Sequence, residues 1–325
     1  MRALAHRRYG APGLLSLEDL PRPSPGPDEV LVKVHAANVS IGDHHVIDGT
    51  PYLVRVTPYG GLPRPRNLVP GTTLSGVVEE VGAQVTAFEV GDEVFGEVGH
   101  GAFAEYAAAP ARALASKPRA LSLEDAAAVP WAMAALQGLR DAGNLQAGQK
   151  VLLNGASGAV GSWAVQLARH LGAHVTAVCS TRNVERVRAL GADEVIDYTK
   201  ADFLQGGARF DVVFDAVGNR SVAEFRSALT PTGTYVACGG GGSTWFGPLG
   251  RIVWMMLCSP FTKQRLKPLL AEPNAKDLAL LAEWIDGGHL RPVIERRLPL
   301  ARAVEALRHV GEGHAQGATL ITMTS

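Results

Sequence analysis

The chain has 325 residues, 46% hydrophobic and 19% charged, the balance of a globular protein long enough for two domains. Its 31 Lys and Arg match its 31 Asp and Glu, so there is no basic excess with which to hold nucleic acid. Its 3 cysteines, Cys179, Cys238 and Cys258, are too few and too scattered for a disulfide framework or a zinc ribbon, which points to a reducing, cytoplasmic setting.

In chain order, residues 1–6 read as a first strand rather than a signal peptide, and a Gly-Pro turn follows at 10–13. After the proline-rich turn 21–27, the run 29–37 (EVLVKVHAA) alternates as a half-buried strand. Further short strands are expected at 74–82, 91–96 and 101–107, divided by Gly and Pro, and together they suggest a compact β-rich domain. Residues 123–129, closed by Pro130, begin a helical connector that continues over 133–143. No internal repeat or low-complexity tract interrupts the chain.

The most informative stretch follows. Val151, Leu152 and Leu153 read as a short buried strand, Gly155, Gly158 and Gly161 recur every three residues, and 163–171 carries apolar residues at helical spacing. A strand, a glycine turn and a helix start form a corner where a pyrophosphate approaches backbone N–H groups and a helix dipole. Ser157, Gly158, Ala159, Val160 and Gly161 are the candidate contacts. The spacing is GxxGxxG rather than GxGxxG, so a ligand-free glycine turn is the bland alternative. Strands at 174–179, 194–197, 212–215 and 235–238 alternate with helical segments, which implies an α/β fold, a doubly wound parallel sheet of Rossmann type.

The end of the second strand selects the cofactor. An NAD site wants an acid there for the ribose diol, about 20 residues past the glycines. Here the chain reads Cys179, Ser180, Thr181, Arg182, Asn183. A hydroxyl from Ser180 and a guanidinium from Arg182 suit a 2′-phosphate, so NADPH is expected over NADH. Arg182 as a solvated helix-start residue and Ser180 as a helix cap are the plainer readings. Val217 and Gly239, past the later strands, complete the candidate cofactor set, with Gly239 opening the glycine run 239–242. The apolar run 252–258 is far too short to cross a bilayer. It reads as a packed loop or helix near the cofactor, with a membrane-touching patch the alternative. The wider segment 247–261 either covers a substrate mouth or packs on a second subunit. Beyond it, 277–285 and 300–310 read as helices and 318–323 as a last strand.

These pieces, with Gly49-Thr-Pro-Tyr52, Val69-Pro-Gly71, Gly91-Asp-Glu-Val-Phe95, Ala127-Ala-Val-Pro130, Leu190-Gly-Ala-Asp193, Val195-Ile-Asp-Tyr198 and Gly313-His314, resemble the medium-chain dehydrogenase/reductase superfamily, in its zinc-independent quinone oxidoreductase branch. The resemblance spans essentially the whole chain. It implies a discontinuous GroES-like substrate domain, 1–122 with 273–325, around a Rossmann domain at 123–272. It implies a homodimer. It would set Tyr198 near the adenosine phosphate, with a strand-end packing tyrosine as the alternative.

The zinc branch places a Cys after the early strand and a Gly-His-Glu before the next. This chain has Ser40 and Gly71-Thr72-Thr73 there, and it lacks the cysteine-rich structural lobe, so no metal is expected. His44 and His45, read as neighbours on an extended strand, point to opposite faces and do not share a metal. Without a Lewis acid the substrate should already be electrophilic, a quinone or an α,β-unsaturated carbonyl, with a hydrogen bond stabilising the enolate oxygen. The resemblance sets the segment of Tyr52 in the substrate cleft, which makes Tyr52 the first donor candidate and Ser40 the second, with shaping of the pocket the alternative for either. Ser40, Thr73, Ala134 and Ala318 replace residues usual in the branch, an Asn, an Asp, a Thr and a Lys. Those losses keep open a catalytically weak NADPH-binding regulatory or scaffold protein. A zinc-type alcohol dehydrogenase is disfavoured by the missing ligands.

Overall fold

The computed structural model describes residues 1–205, 207–239, 244–313 and 315–323. They fall into two units, Met1–Pro130 with Pro273–Ser325, and Trp131–Glu272. His314 and Gly240, Gly241 and Gly242 of the glycine run lie outside the described residues.

The first unit begins with β1 (Arg2–Ala5), β2 (Ser16–Asp19), β3 (Glu29–Val39), α1 (Ile41–Asp48), β4 (Thr73–Val81), β5 (Glu93–Glu97), β6 (Tyr106–Pro110), β7 (Leu114–Ser116) and α2 (Leu123–Ala126). The second unit holds α3 (Ala132–Leu136), β8 (Lys150–Asn154), α4 (Ala159–His170), β9 (His174–Cys179), α5 (Val184–Ala189), β10 (Glu194–Asp197), β11 (Phe210–Asp215), α6 (Val222–Ser227), β12 (Leu229–Ala237), α7 (Leu249–Cys258) and β13 (Arg265–Pro268). The chain re-enters the first unit with α8 (Ala275–Asp286), β14 (Ile294–Pro299), α9 (Ala303–Gly311) and β15 (Ala318–Thr322).

In the first unit β3 is the organiser. Val30, Val32 and Val34 alternate inward along it, and β-branched side chains suit a pleated, half-buried surface. The strand pairs antiparallel with β4 along its length, with β6 over Glu29–Lys33 and with β15 over Ala36–Val39. The sheet order is β14-β15-β3-β4-β5-β7. Leu74, Val94, Phe103, Leu114 and Leu307 fill the core around it. Each such side chain stabilises by about 1.5–3 kcal/mol when fully buried.

In the second unit every pairing is parallel and the order is β10-β9-β8-β11-β12-β13. Numbered within the unit this is 3-2-1-4-5-6, the doubly wound order, with its switch point between β8 and β11. Val151, Leu152 and Leu153 are buried in β8, as a strand covered on both faces requires. A second cluster joins Phe225, stacked on Tyr235 at 5.1 Å, with Val213, Met255 and Leu266.

Several elements differ from expectation. Residues 101–107 are not a strand: Gly101 has φ 93°, Ala104 makes one bridge to Ala3, and regular pairing starts at Tyr106. The helix expected over 133–143 ends at Leu136 and widens into a π-type segment, Gln137–Ala142, closed by the bond from Gly143 N–H to Gly138 O at 2.9 Å. His44 and His45 lie in α1, not on a strand. Their rings meet edge to face at 6.3 Å, and a Cβ added to Gly311 would meet the His44 ring, so that histidine packs against α9.

Candidate active site

The glycine corner sits at the switch point. Asn154 ends β8, Gly155 turns the chain with φ 87°, and Gly158 stands before the first turn of α4. Gly158 supplies no side-chain cap. The opening N–H groups of a helix have no intrahelical acceptor, so Ala159, Val160 and Gly161 present donors at the positive end of a 12-residue helix. A Cβ on Gly161 would lie 2.0 Å from Gly155 O, so only glycine lets the helix approach the turn this closely. An uncapped, glycine-lined helix start is a cradle fitted to a diphosphate.

Across the switch point Asp215 ends β11 in register with Asn154. Its Oδ1 accepts from Asn154 Nδ2 at 2.8 Å, Val217 N at 3.1 Å and Gly218 N at 2.8 Å. Its Oδ2 accepts from Tyr235 OH at 2.8 Å and Arg251 Nη1 at 2.9 Å. This buried carboxylate shapes the turn that presents Val217, whose side chain is exposed beside Gly155. Gly239 N–H donates to Asp215 O at 3.1 Å, which ties the end of β12 to the same corner. Burial, and then the Asp215 charge, push the Tyr235 phenol well above its ordinary value, so it stays a neutral donor.

The end of β9 gathers hydroxyls. Asn183 is buried, and its Nδ2 donates to Ser157 Oγ at 3.1 Å and to Ser180 Oγ at 3.2 Å. Arg186 Nη2 donates to Asn183 Oδ1 at 2.9 Å and holds the amide in that orientation. Two serines from the glycine turn and the second strand therefore face one amide. Arg182 is exposed one residue earlier. Tyr198 follows β10, half-exposed, with its N–H on Cys179 O. Asp197, at the end of β10 and in register with Cys179, is the nearby acid. It accepts from Thr181 Oγ1 at 2.5 Å and Thr199 Oγ1 at 2.7 Å, and these hydroxyls hold its carboxyl down at about 2.

In the first unit Ser40 caps α1. Its Oγ donates to Asp43 Oδ2 at 2.7 Å and accepts from Asp43 N–H at 3.0 Å, a capping box. Burial pushes Asp43 up to about 6 against the bonds from Ser40 and, after them, from Thr72. Burial, reinforced by the Asp43 charge, pushes Glu97 up to about 7. Tyr52 opens the 3-10 turn Tyr52–Val56, partly exposed, with the Arg55 guanidinium 4.7 Å from its ring centroid. Among the described residues no group of three His, Cys, Asp or Glu side chains could hold a metal ion.

Sequence reasoning missed Asn183, Asp215, Arg251, Asp43 and Glu97. The Ser40-Ile-Gly-Asp43 spacing carried a readable cap signal, and Asp215 ended a recognised strand. Arg251 sits 36 residues from Asp215 with no local signal of the pairing.

Comparison with known proteins decides the family. Residues 26–119 match the alcohol dehydrogenase GroES-like domain and 190–321 match the zinc-binding dehydrogenase family. A chloroplast envelope quinone oxidoreductase homolog of Arabidopsis thaliana is 32% identical over 99% of this chain and 98% of its own. The chain belongs to the medium-chain dehydrogenase/reductase superfamily, among its quinone oxidoreductase-like members. The mitochondrial NAD(P)H oxidoreductase RTN4IP1 of Mus musculus is 32% identical over 91% of this chain and 82% of its own. The quinone oxidoreductase structure from Coxiella burnetii superposes with a TM-score of 0.86 at 30% identity, covering 100% and 99% of the two chains. As a superfamily member the chain is an oxidoreductase of the kind that works with a nicotinamide cofactor. No described helix is long and apolar enough to cross a membrane.

Proposed function

We propose that this chain is a zinc-independent, NADPH-dependent reductase of quinones or α,β-unsaturated carbonyls, working in the cytoplasm as a homodimer. The observation that carries the reading is the uncapped helix start at the switch point, beside the two serines joined by Asn183. When bound, the nicotinamide supplies the hydride. The N–H groups of Ala159, Val160 and Gly161, with the Ser157 hydroxyl, bind the diphosphate. Ser180 and Arg182 take the 2′-phosphate, one by a hydroxyl and the other by charge. Val217, Tyr198 and Gly239 flank the nucleotide. Tyr52 donates to the carbonyl oxygen of the acceptor as negative charge builds there. Ser40 is the weaker donor, because its hydrogen is already given to Asp43.

The engaged Ser40 favours a second reading, an NADPH-binding regulatory or scaffold protein with little turnover. Steady-state NADPH oxidation across a panel of quinones and enones separates the two. Turnover that falls when Tyr52 becomes Phe supports the reductase. Tight NADPH binding, silence over the whole panel and a cofactor-dependent protein partner support the other.

A further inference from the structure

Arg55 follows Tyr52 by three residues in the 3-10 turn Tyr52–Val56, and at that spacing the side chains of a 3-10 helix eclipse. Its guanidinium carbon lies 4.7 Å from the Tyr52 ring centroid and 4.4 Å from that of Tyr9, so one planar cation rests against two aromatic rings. Arg55 Nε donates to Gly49 O at 2.9 Å, and Tyr9 OH donates to Gly61 O at 2.8 Å. Gly49 makes the close fit possible. Its φ is 71°, and a Cβ there would lie 2.5 Å from Tyr9 Cδ1 and 2.9 Å from Arg55 Nε. The half-buried guanidinium is thereby held in one orientation.

The anchoring leaves the charged fork uncommitted. Arg55 Nη1 and Nη2 have no hydrogen-bond partner among the described residues, and Arg55 enters no ion pair there. Residues 49–78 contain no Asp or Glu, so the surrounding segment supplies no counter-ion either. An arginine that only meets water gains nothing from being fixed, whereas a fixed fork has already given up the freedom that binding would cost. A planar fork with both outer nitrogens open matches a carboxylate, which takes two parallel N–H bonds.

We propose that Arg55 binds a carboxylate on the acceptor, which narrows the substrate class to α,β-unsaturated carbonyl compounds that carry an acid group near the carbonyl. The inference rests on the reading in which Tyr52 donates to that carbonyl. The guanidinium stands against the Tyr52 ring itself, so one compact molecule reaches both groups. The carboxylate takes no part in the hydride step. It fixes the direction in which the conjugated system lies, and orientation of that kind is a large part of what a site contributes. A neutral quinone leaves the fork unused.

Steady-state NADPH oxidation with a matched pair of acceptors, benzoylacrylate and its methyl ester, tests it. Both are enones, and only the acid carries a charge. The quantity read is the acid-to-ester ratio of kcat/KM, because the acceptors' own difference in reactivity cancels when a variant is compared with the parent. Arg55→Gln should lower that ratio by at least about tenfold, mainly through KM for the acid. Arg55→Lys should restore only part of it, since a point charge lacks the fork. In the parent the saturated acid benzoylpropionate should inhibit more strongly than its methyl ester, a measurement that needs no variant. An unchanged ratio in Arg55→Gln, or equal inhibition by the saturated acid and ester, overturns the carboxylate site. The reductase reading survives that result if the ester is turned over and Tyr52→Phe slows it. A parent that turns over neither acceptor nor any quinone removes the reductase reading and this inference together.

Discussion

Arg251 Nη1 lies 2.9 Å from Asp215 Oδ2, with the carboxylate fully buried and the arginine 14% exposed. The second guanidinium nitrogen donates to Gly218 O at 2.8 Å and Arg220 O at 2.6 Å. One side chain thus neutralises a buried charge and fixes the backbone that follows Val217. Replacing Arg251 with Met leaves Asp215 charged, buried and short of a counter-ion. The loss should be about 3–5 kcal/mol of unfolding free energy. Tyr235→Phe removes one bond to the same oxygen and should cost about 1.5–3 kcal/mol. Denaturant midpoints of both variants and the double variant check this. The double should lose less than the sum, because all three groups share one network.

Gly161 tests the phosphate corner itself. A Cβ there meets Gly155 O at 2.0 Å, backbone that has no rotamer by which to move away. Gly161→Ala should push α4 off the turn and misplace its opening N–H groups. NADPH affinity should fall by more than about a hundredfold, while the far-UV helical signal stays. Calorimetry giving parental affinity would show that the diphosphate binds elsewhere.

The second-unit sheet was legible because parallel strands buried on both faces read as apolar runs. β8, β9 and β11 are such runs, and glycine punctuated the turns between them. β13 was not legible: Arg-Leu-Lys-Pro at a sheet edge carries charge and a proline, the features that protect an edge and hide it from pattern reading. At the site, the glycine corner was local in sequence and could be read. The Asn183 amide bridge and the Arg251–Asp215 pair join distant segments, and no periodicity encodes a side-chain hydrogen bond. His44 and His45 were misplaced for a related reason. The strand pattern of β3 runs straight into a capping box at Ser40 that starts a helix.

On the proposed function, cofactor choice turns on Arg182. Arg182→Ala should raise the NADPH dissociation constant by about tenfold, roughly 1.4 kcal/mol, and leave NADH binding unchanged. Asp197 supplies a contrary charge nearby, held ionised by Thr181 and Thr199. Asp197→Asn should therefore tighten NADPH and leave NADH less affected. A titration in which Arg182→Ala weakens both nucleotides equally would assign the arginine to structure.

Ser40 is separable into cap and donor. Ser40→Ala removes the acceptor for Asp43 N–H and the donor to Asp43 Oδ2. Helix-cap loss alone predicts a destabilisation of about 1 kcal/mol, visible as a lower melting temperature. If the hydroxyl serves only as a cap, kcat should hold at temperatures well below the transition. A fall in kcat with KM unchanged would assign it to the reaction.

Glu97 gives the fold a pH dependence of the less common sign. Burial raises its carboxyl from an ordinary 4.5 to about 7, and the neighbouring Asp43, itself raised to about 6, adds to the effect. The folded state thus holds protons that the unfolded chain has released between those values. Stability from the protonated pair is fully present below the ordinary carboxylate range. It is lost as pH rises through about 6 to 7. Glu97→Gln keeps a neutral side chain of the same size at every pH. The variant should match the parent near pH 5 and melt higher than it near pH 8, with a flatter profile between. Thermal melts across that range decide the point. Parallel profiles for parent and variant would mean that Glu97 titrates normally and that Asp43 alone carries the buried proton.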